Sequence, residues 1–299
     1  MVPILSKEKH IHSMNSKISP SYYVKQNQLI TVETYDCYKN VINPNNNILT
    51  EEILNETNPA TGPIFINGIN EGDILKVEIM GINTNSNGIM YTGIDIGASK
   101  KINKNEFSFF NNLNYNEISF NDINIPINKM IGVIGVAPES TSISTSIPGR
   151  HGGNLDCKKI SENTVLYLPV FHEGALLALG DVHLAMADGE LGGTGLEVNA
   201  EVDIKCSKAE VNLNIKNPIL SNDEGIYYMS SDTTIEKAVE SAIQELTELF
   251  LTQSSLTTDE ITKLFSLVCD IQINQIVNPL KTIRMFIPRY ILNEVNIRL

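Results

Sequence analysis

The chain has 299 residues, of which 42% are hydrophobic and 19% charged, an ordinary composition for a globular protein that excludes wholesale disorder. The formal net charge is -13 at pH 7. Such a negative field disfavours nucleic acid or an anionic membrane as partner, because both are bound through clustered lysine and arginine, and we therefore expect a small-molecule partner.

Short apolar or alternating runs separated by turn residues dominate the first two-thirds of the chain and predict strands. These runs are 29–33, 64–66, 74–79, 131–136, 165–171, 175–179 and 196–204. Strands joined by short turns favour antiparallel or mixed sheets over a doubly wound parallel sheet. We expect a β-rich α/β fold with mixed or antiparallel, sandwich-like sheets.

Helical periodicity appears only in the C-terminal third of the chain. The segment from Thr233 to Glu236 has the form of a capping box, and apolar residues recur at steps of three and four as far as Phe250. A second start signal runs from Thr257 to Glu260. We expect these two helices to pack on the sheets through their apolar faces, within a single domain covering residues 1–299.

Cysteine usage and the N-terminal segment bear on location. The four cysteines are far apart and form no C-x-x-C pair, which argues against a zinc ribbon or a thioredoxin-like motif. The segment 1–21 carries charges and histidines instead of an apolar signal region, and no apolar run approaches the ~20 residues that span a bilayer. The sequence predicts a reduced, cytoplasmic protein without a membrane partner.

The segment 180–197, GDVHLAMADGELGGTGLE, concentrates acids and a histidine among glycines. Asp181, Asp188 and Glu190 lie within ten residues, which is costly unless solvent, hydrogen bonds or a cation compensates the charges. In extended chain Asp181 and His183 would share a face, and so would Asp188 and Glu190. A bound metal ion is the simplest explanation, and a solvated glycine-rich loop is the alternative.

Three motifs carry a resemblance to a known family. The segment 180–197 supplies G-D-x-H-x-A-x-x-D-G-E followed by G-T-x-x-E, the segment 58–63 supplies N-P-x-T-G-P, and the segment 148–156 supplies P-G-x-x-G-G-N-x-D. The chain thus resembles the acetamidase/formamidase amidohydrolases over nearly its whole length. It departs from their pattern at Asn15, at Ala187 and in the Asn-rich region 103–124.

The resemblance implies a homodimeric enzyme that hydrolyses a small linear amide, such as formamide or acetamide, to a carboxylate and ammonia. It implies a divalent metal, zinc in first place, with a second ion such as calcium as a further expectation. By resemblance Asp36, Asp156 and His183 are the first choices for metal ligands.

Three further residues receive roles by the same resemblance. Asp181 is a metal ligand, an acid that orients His183, or a turn residue, and His12 completes the site. Glu190 is the general base and acid. Two other functions stay open: a metal-dependent hydrolase or lyase of another small polar metabolite, and a non-catalytic metal-binding or ligand-binding protein.

Overall fold

The computed structural model describes residues 2–94, 96–113, 116–139, 142–210 and 215–298. Residues 114 and 115 of the Asn-rich region therefore lie outside the described residues. The strands are β1 (Ile4–Leu5), β2 (His10–Ile11), β3 (Ser13–Met14), β4 (Tyr22–Val24), β5 (Leu29–Thr34), β6 (Ala60–Ile66), β7 (Ile74–Thr84), β8 (Asn87–Thr92), β9 (Glu106–Leu113), β10 (Glu117–Phe120), β11 (Ile123–Pro126), β12 (Met130–Gly135), β13 (Ile143–Ser144), β14 (Gly152–Asn154), β15 (Thr164–Pro169), β16 (Leu177–His183), β17 (Glu197–Val198), β18 (Ala200–Lys208), β19 (Ile219–Ser221), β20 (Gly225–Asp232), β21 (Asp270–Gln275) and β22 (Lys281–Pro288). The helices are α1 (Glu51–Asn55), α2 (Ile235–Gln253), α3 (Thr258–Val268) and α4 (Arg289–Glu294).

Two large sheets organise the described residues. One has nine strands in the order β1-β5-β18-β7-β15-β19-β20-β22-β21. The other has eleven strands and follows the path β11-β10-β9-β8-β17-β16-β12-β14, with β6 also paired to β16, β2 and β4. The pairs β1–β5 and β4–β6 are parallel, whereas long neighbours such as β7–β18 and β12–β16 are antiparallel. The predicted mixed, mainly antiparallel sheets are confirmed.

The largest hydrophobic core takes residues from both sheets. Val77 and Val202 come from the nine-stranded sheet, Ile131 and Val182 from the eleven-stranded sheet, and all four side chains are fully buried in one cluster. The inward positions of the two sheets therefore pack together, as the sandwich-like prediction requires.

Helix α2 packs on the nine-stranded sheet, and α3 packs against α2 in the same core. A second buried cluster joins Leu246 and Phe250 of α2 to Ile226 of β20 and Ile283 of β22. The apolar stripe predicted from the helical spacing is thus the face that packs on the sheet, and the predicted packing of the C-terminal helices is confirmed.

The helix starts agree with the predicted signals to within one residue. At α3 the capping box is complete, since the backbone N–H of Glu260 donates to Thr257 Oγ1 and the N–H of Thr257 donates to Glu260 Oε2. At α2 the cap is Thr234, one residue later than the predicted Thr233. Its side chain accepts a hydrogen bond from the first turn, whereas Glu236 only adds a negative charge there.

Two predicted strand boundaries are wrong near the acidic segment. The turn after β15 extends to Leu176, because Ala175 and Leu176 both have a φ of 59°. The strand predicted over 175–179 is in fact β16, which starts at Leu177 and continues through Asp181 to His183. The chain continues as a buried strand through these polar residues. His183 pairs with Met130 of β12, whereas Asp181 has a φ of 54° and is skipped in the register with β12.

Within the described ranges, no helix is both long and apolar enough to cross a bilayer.

Candidate metal centre

Asp181 and His183 both lie on strand β16 of the eleven-stranded sheet. Both side chains are buried, and His183 Nε2 lies 3.6 Å from Asp181 Oδ1. The two side chains do meet, but Asp181 has a φ of 54°, so the chain is not extended at this residue. The alternation assumed in the prediction therefore does not account for the contact.

Gly132 on β12 gives two carboxylates room to approach each other. A Cβ at this position would lie 2.7 Å from Asp181 Oδ2 and 2.8 Å from Asp156 Oδ1, closer than side-chain atoms pack. Asp156 follows β14 and is fully buried. Its Oδ2 accepts a hydrogen bond of 2.7 Å from Asn278 Nδ2, and its Oδ1 has no hydrogen-bond partner among the described residues.

Glu190 reaches the same place from a turn. Gly189 and Glu190 both have positive φ, 94° and 50°, so the chain is not extended there. The Glu190 carboxyl is buried and belongs to one group with Asp156 and His183, whose potential ligand atoms lie within 4.8 Å of one another.

The expectation that Asp188 shares a face with Glu190 is wrong. Asp188 instead accepts two hydrogen bonds from the buried Arg284 guanidinium, at 2.9 Å and 2.8 Å, and lies 3.0 Å from Lys158 Nζ. The turn separates the two acids: Asp188 pairs with basic side chains, whereas Glu190 faces the other buried acids.

Two residues of the centre were missed from the sequence. Glu197 on β17 lies opposite His183 in the strand register, and its Oε2 is 3.2 Å from His183 Nε2. Cys37 forms a second group with Asp181 and Glu197, again with ligand atoms within 4.8 Å. Glu197 ends the G-T-x-x-E motif, which was the available signal, whereas no motif singled out Cys37.

The unpaired polar atoms show that the centre fits a cation. Asp156 Oδ1, Asp181 Oδ1, Glu197 Oε2 and both ring nitrogens of His183 are buried and have no hydrogen-bond partner within the described part of the chain. Such atoms are costly unless something satisfies them. Carboxylate oxygens and an imidazole nitrogen, with a thiol beside them, are the ligands that zinc takes in proteins.

The acid–base properties of the centre agree with this fit. Burial raises the pKa of Asp156 to about 6, with the charge of Asp181 adding to the effect, and burial raises the pKa of Glu197 to about 8. Burial and then the charge of Asp156 raise the pKa of Glu190 well above its usual range. Burial lowers the pKa of His183, but the charges of Glu197 and Asp181 outweigh this and raise it overall. A cation would supply the positive charge that these acids lack.

Asp36 and His12 lie outside both groups found among the described residues. Asp36 is buried near Asp181, and its Oδ1 accepts backbone hydrogen bonds from Tyr38 and Asn40 at 2.9 Å and 2.7 Å. Burial raises the pKa of Asp36 to about 6. His12 is partly buried, and its Nδ1 lies 3.4 Å from the carbonyl oxygen of Thr57. Both stay predictions as metal ligands.

A cavity of ≈ 200 Å³ opens onto the centre. Polar and charged side chains supply one part of its lining, and these are Thr57, Asn58, Ser146, Asn154, Asp181, Glu190, Thr194, Glu197 and Asn278. Apolar and aromatic side chains supply another part, and these are Tyr38, Leu49, Leu54, Tyr91 and Ile96. The space suits a small molecule with one polar end and one apolar end.

Comparison with known proteins defines the class. The model of the Acetamidase/Formamidase family matches residues 4–147 and 140–294. The chain belongs to this family.

Solved structures agree in fold over the whole chain. A recombinant predicted acetamidase/formamidase from Thermoanaerobacter tengcongensis is 40% identical with a TM-score of 0.96, covering 100% of this chain and 99% of that chain. An acetamidase from Bacillus halodurans is 32% identical with a TM-score of 0.93, covering 98% of this chain and 99% of that chain.

Curated relatives match over shorter stretches. The formamidase of Methylophilus methylotrophus is 34% identical over 76 residues, 24% of this chain and 19% of that protein. The matched stretches span between 14% and 19% of the length of the curated relatives.

Asp188→Asn should destabilise the fold through Arg284. The substitution keeps the shape of the side chain but leaves the buried guanidinium without its charge partner. Because the Asp188 side chain is 33% exposed, we expect the free energy of unfolding to fall by only about 2 kcal/mol. Urea denaturation measures this, with Asp259→Asn on the exposed first turn of α3 as the matched control. Equal stability of the two variants would contradict the role given to the Arg284 pair.

Proposed function

We propose that this protein is a metal-dependent amidohydrolase that converts a small linear amide, of the formamide or acetamide type, to a carboxylate and ammonia. The observation that carries the proposal is the buried set of unpaired acid and imidazole atoms at a cavity of ≈ 200 Å³. Relatives named formamidase and acetamidase support the choice of reaction.

Amide hydrolysis needs an activated water, a polarised carbonyl and a proton for the departing nitrogen. A divalent cation at this site would polarise the carbonyl and lower the pKa of a water molecule from 15.7 to about 7. Asp156, Asp181, His183 and Glu197 are the residues that would hold it, with Asp36 and His12 as further ligands predicted from the sequence. Zinc is the proposed ion because oxygen and imidazole ligands suit it.

A second ion would use the other group of potential ligands, Cys37, Asp181 and Glu197. Glu197 Oε2 of this group lies 3.2 Å from His183 Nε2. Calcium takes oxygen ligands, and the Cys37 thiol makes this group a better match for zinc than for calcium.

Glu190 is proposed as the proton carrier. Its carboxyl is buried, faces Asp156 and His183, and lines the cavity where the substrate would lie. Burial raises the pKa of the Glu190 carboxyl, and the positive charge of a bound cation would lower it again, so that the ionised form would be available to accept a proton. Glu190 would take a proton from the attacking water and donate it to the amide nitrogen as ammonia leaves.

We further propose that the protein is cytoplasmic and forms a homodimer. The four cysteines are free thiols in the described residues, which fits a reducing compartment. The homodimer rests on the family resemblance alone. A non-catalytic metal-binding protein is the competing function, and it would show metal bound without any amide turnover.

Metal removal should abolish activity. The buried carboxylates need a cation to converge, and the same cation would activate the water. We expect chelator-treated protein to release no ammonia from acetamide and added zinc to restore the release. Undiminished turnover in protein shown by elemental analysis to be free of metal would rule out the metal mechanism.

His183→Ala should lower the metal content, whereas His172→Ala should not. His183 lies between Asp181 and Glu197, whereas His172 Nε2 lies 2.8 Å from the carbonyl oxygen of Pro138 and is outside both acid groups among the described residues. Elemental analysis of the two folded variants compares them directly. If both lose metal equally, His183 is not a specific ligand.

Glu190→Gln should retain the metal and lose roughly 100-fold or more in turnover. Glutamine keeps the size of the side chain but cannot accept or donate the proton that a general base transfers. The ammonia-release rate and the metal content are measured on the same sample. Loss of metal would make Glu190 a ligand, and near-normal turnover would leave the mechanism without its base.

A further inference from the structure

The apolar part of the cavity lining is a wall built on a small core of its own. Tyr38 and Tyr91 both pack against Phe107, with ring centroids 5.2 Å and 4.8 Å apart. Leu49 and Ile96 pack against the same cluster. We call Tyr38, Leu49, Leu54, Tyr91 and Ile96 the apolar wall. Because aromatic packing fixes its tyrosines, the wall offers a preformed surface to a ligand.

The wall and the acids together restrict the chemistry of a ligand. Among the described residues that line the cavity, none is lysine, arginine or histidine, whereas Asp181, Glu190 and Glu197 are acidic. A carboxylate group on the ligand would therefore meet acidic side chains and no basic side chain among these residues. A neutral molecule with a polar group for the acids and a hydrocarbon part for the wall fits both surfaces.

Formamide has no hydrocarbon part with which to cover such a wall. Each methylene group that moves from water into an apolar environment raises the binding constant by roughly 4-fold. Hydrophobic pockets in enzymes separate substrates that differ by one methylene by about 10-fold or more in kcat/KM. A ligand with a short alkyl chain would thus bind more tightly than formamide, which leaves the apolar wall exposed to water.

Leu54 is the one wall residue that can change without disturbing the core. It lies on α1, where none of the described residues is buried, and it is 49% exposed although it lines the cavity. Thr50 caps this helix through its side chain, so the position of Leu54 depends on local bonds instead of deep packing.

We propose that the apolar wall binds the acyl group of the substrate, that the protein prefers a straight-chain aliphatic amide of about three carbons to formamide, and that Leu54 sets the longest chain accepted. This inference rests on the proposed amide hydrolysis. It adds the part of the substrate that determines selectivity and the side chain that limits it.

The test is a chain-length series on the metal-loaded protein. The specificity constant kcat/KM is measured for formamide, acetamide, propionamide and butyramide by ammonia release. We expect kcat/KM to rise roughly 4- to 10-fold per methylene from formamide to propionamide, because each added methylene covers more of the wall.

Two Leu54 variants move the limit in opposite directions. Leu54→Ala enlarges the space at the wall and should raise the butyramide-to-acetamide ratio of kcat/KM by roughly 10-fold, whereas Leu54→Phe should lower it by a similar factor. Leu267→Ala, at an 80% exposed position on α3, is the matched control and should leave the ratio unchanged. A ratio within one enzyme preparation does not depend on the fraction of active protein.

The outcomes separate the two proposals. A flat or falling dependence on chain length with clear turnover overturns the acyl-wall inference and leaves amide hydrolysis intact. Leu54 variants that change all four amides by the same factor also overturn it, because they would show a structural effect only. No turnover of any amide by zinc-loaded protein overturns the inference together with the proposed function.

Discussion

The main physical constraint on this structure is the free-energy cost of burying several carboxylates close together. Asp156, Glu190 and His183 converge in one buried group, and Asp181 and Glu197 belong to a second group that adjoins it at His183. Burial raises the carboxyl pKa values of Asp156, Glu190 and Glu197 because it disfavours the charged form. An arrangement of this kind persists when something supplies positive charge, and the unpaired atoms are where that charge would be bound.

The backbone around the centre leaves room for the acidic side chains to approach one another. Backbone without side chains lets the acids converge: Gly132 admits two carboxylates, and Gly195 lies so close to His183 that a Cβ there would be 2.3 Å from its Nδ1. The β21–β22 segment supports the loops from outside, because Asn274 donates to the carbonyl of Leu155 and accepts from the N–H of Gly189. The C-terminal strands therefore fix the positions of the loops that carry Asp156 and Glu190, although these two residues are distant in sequence.

Much of the fold could be predicted because its signals are local. The Thr257 capping box, the stripe from Leu246 to Phe250 and the short apolar runs depend on neighbours within a few residues. The end of β16 could not be predicted in this way. It includes the polar residues Asp181 and His183, and pairing with β12 and β17, which are distant in sequence, continues the strand to His183. The turn at Glu190 likewise depends on the positive φ of that residue, which local pattern did not indicate.

The sequence by itself determined the family, the sheet-rich class and the motif residues Asp156, Asp181, His183 and Glu190, because motifs and periodicity are linear properties. Tertiary structure decided which of these residues meet. Glu197 reaches His183 through strand pairing, whereas Asp188, two residues from Glu190, turns to Arg284. Side-chain convergence is set by register, by turns and by contacts between distant segments. A buried centre made of several strands and loops is for that reason visible only in the folded chain.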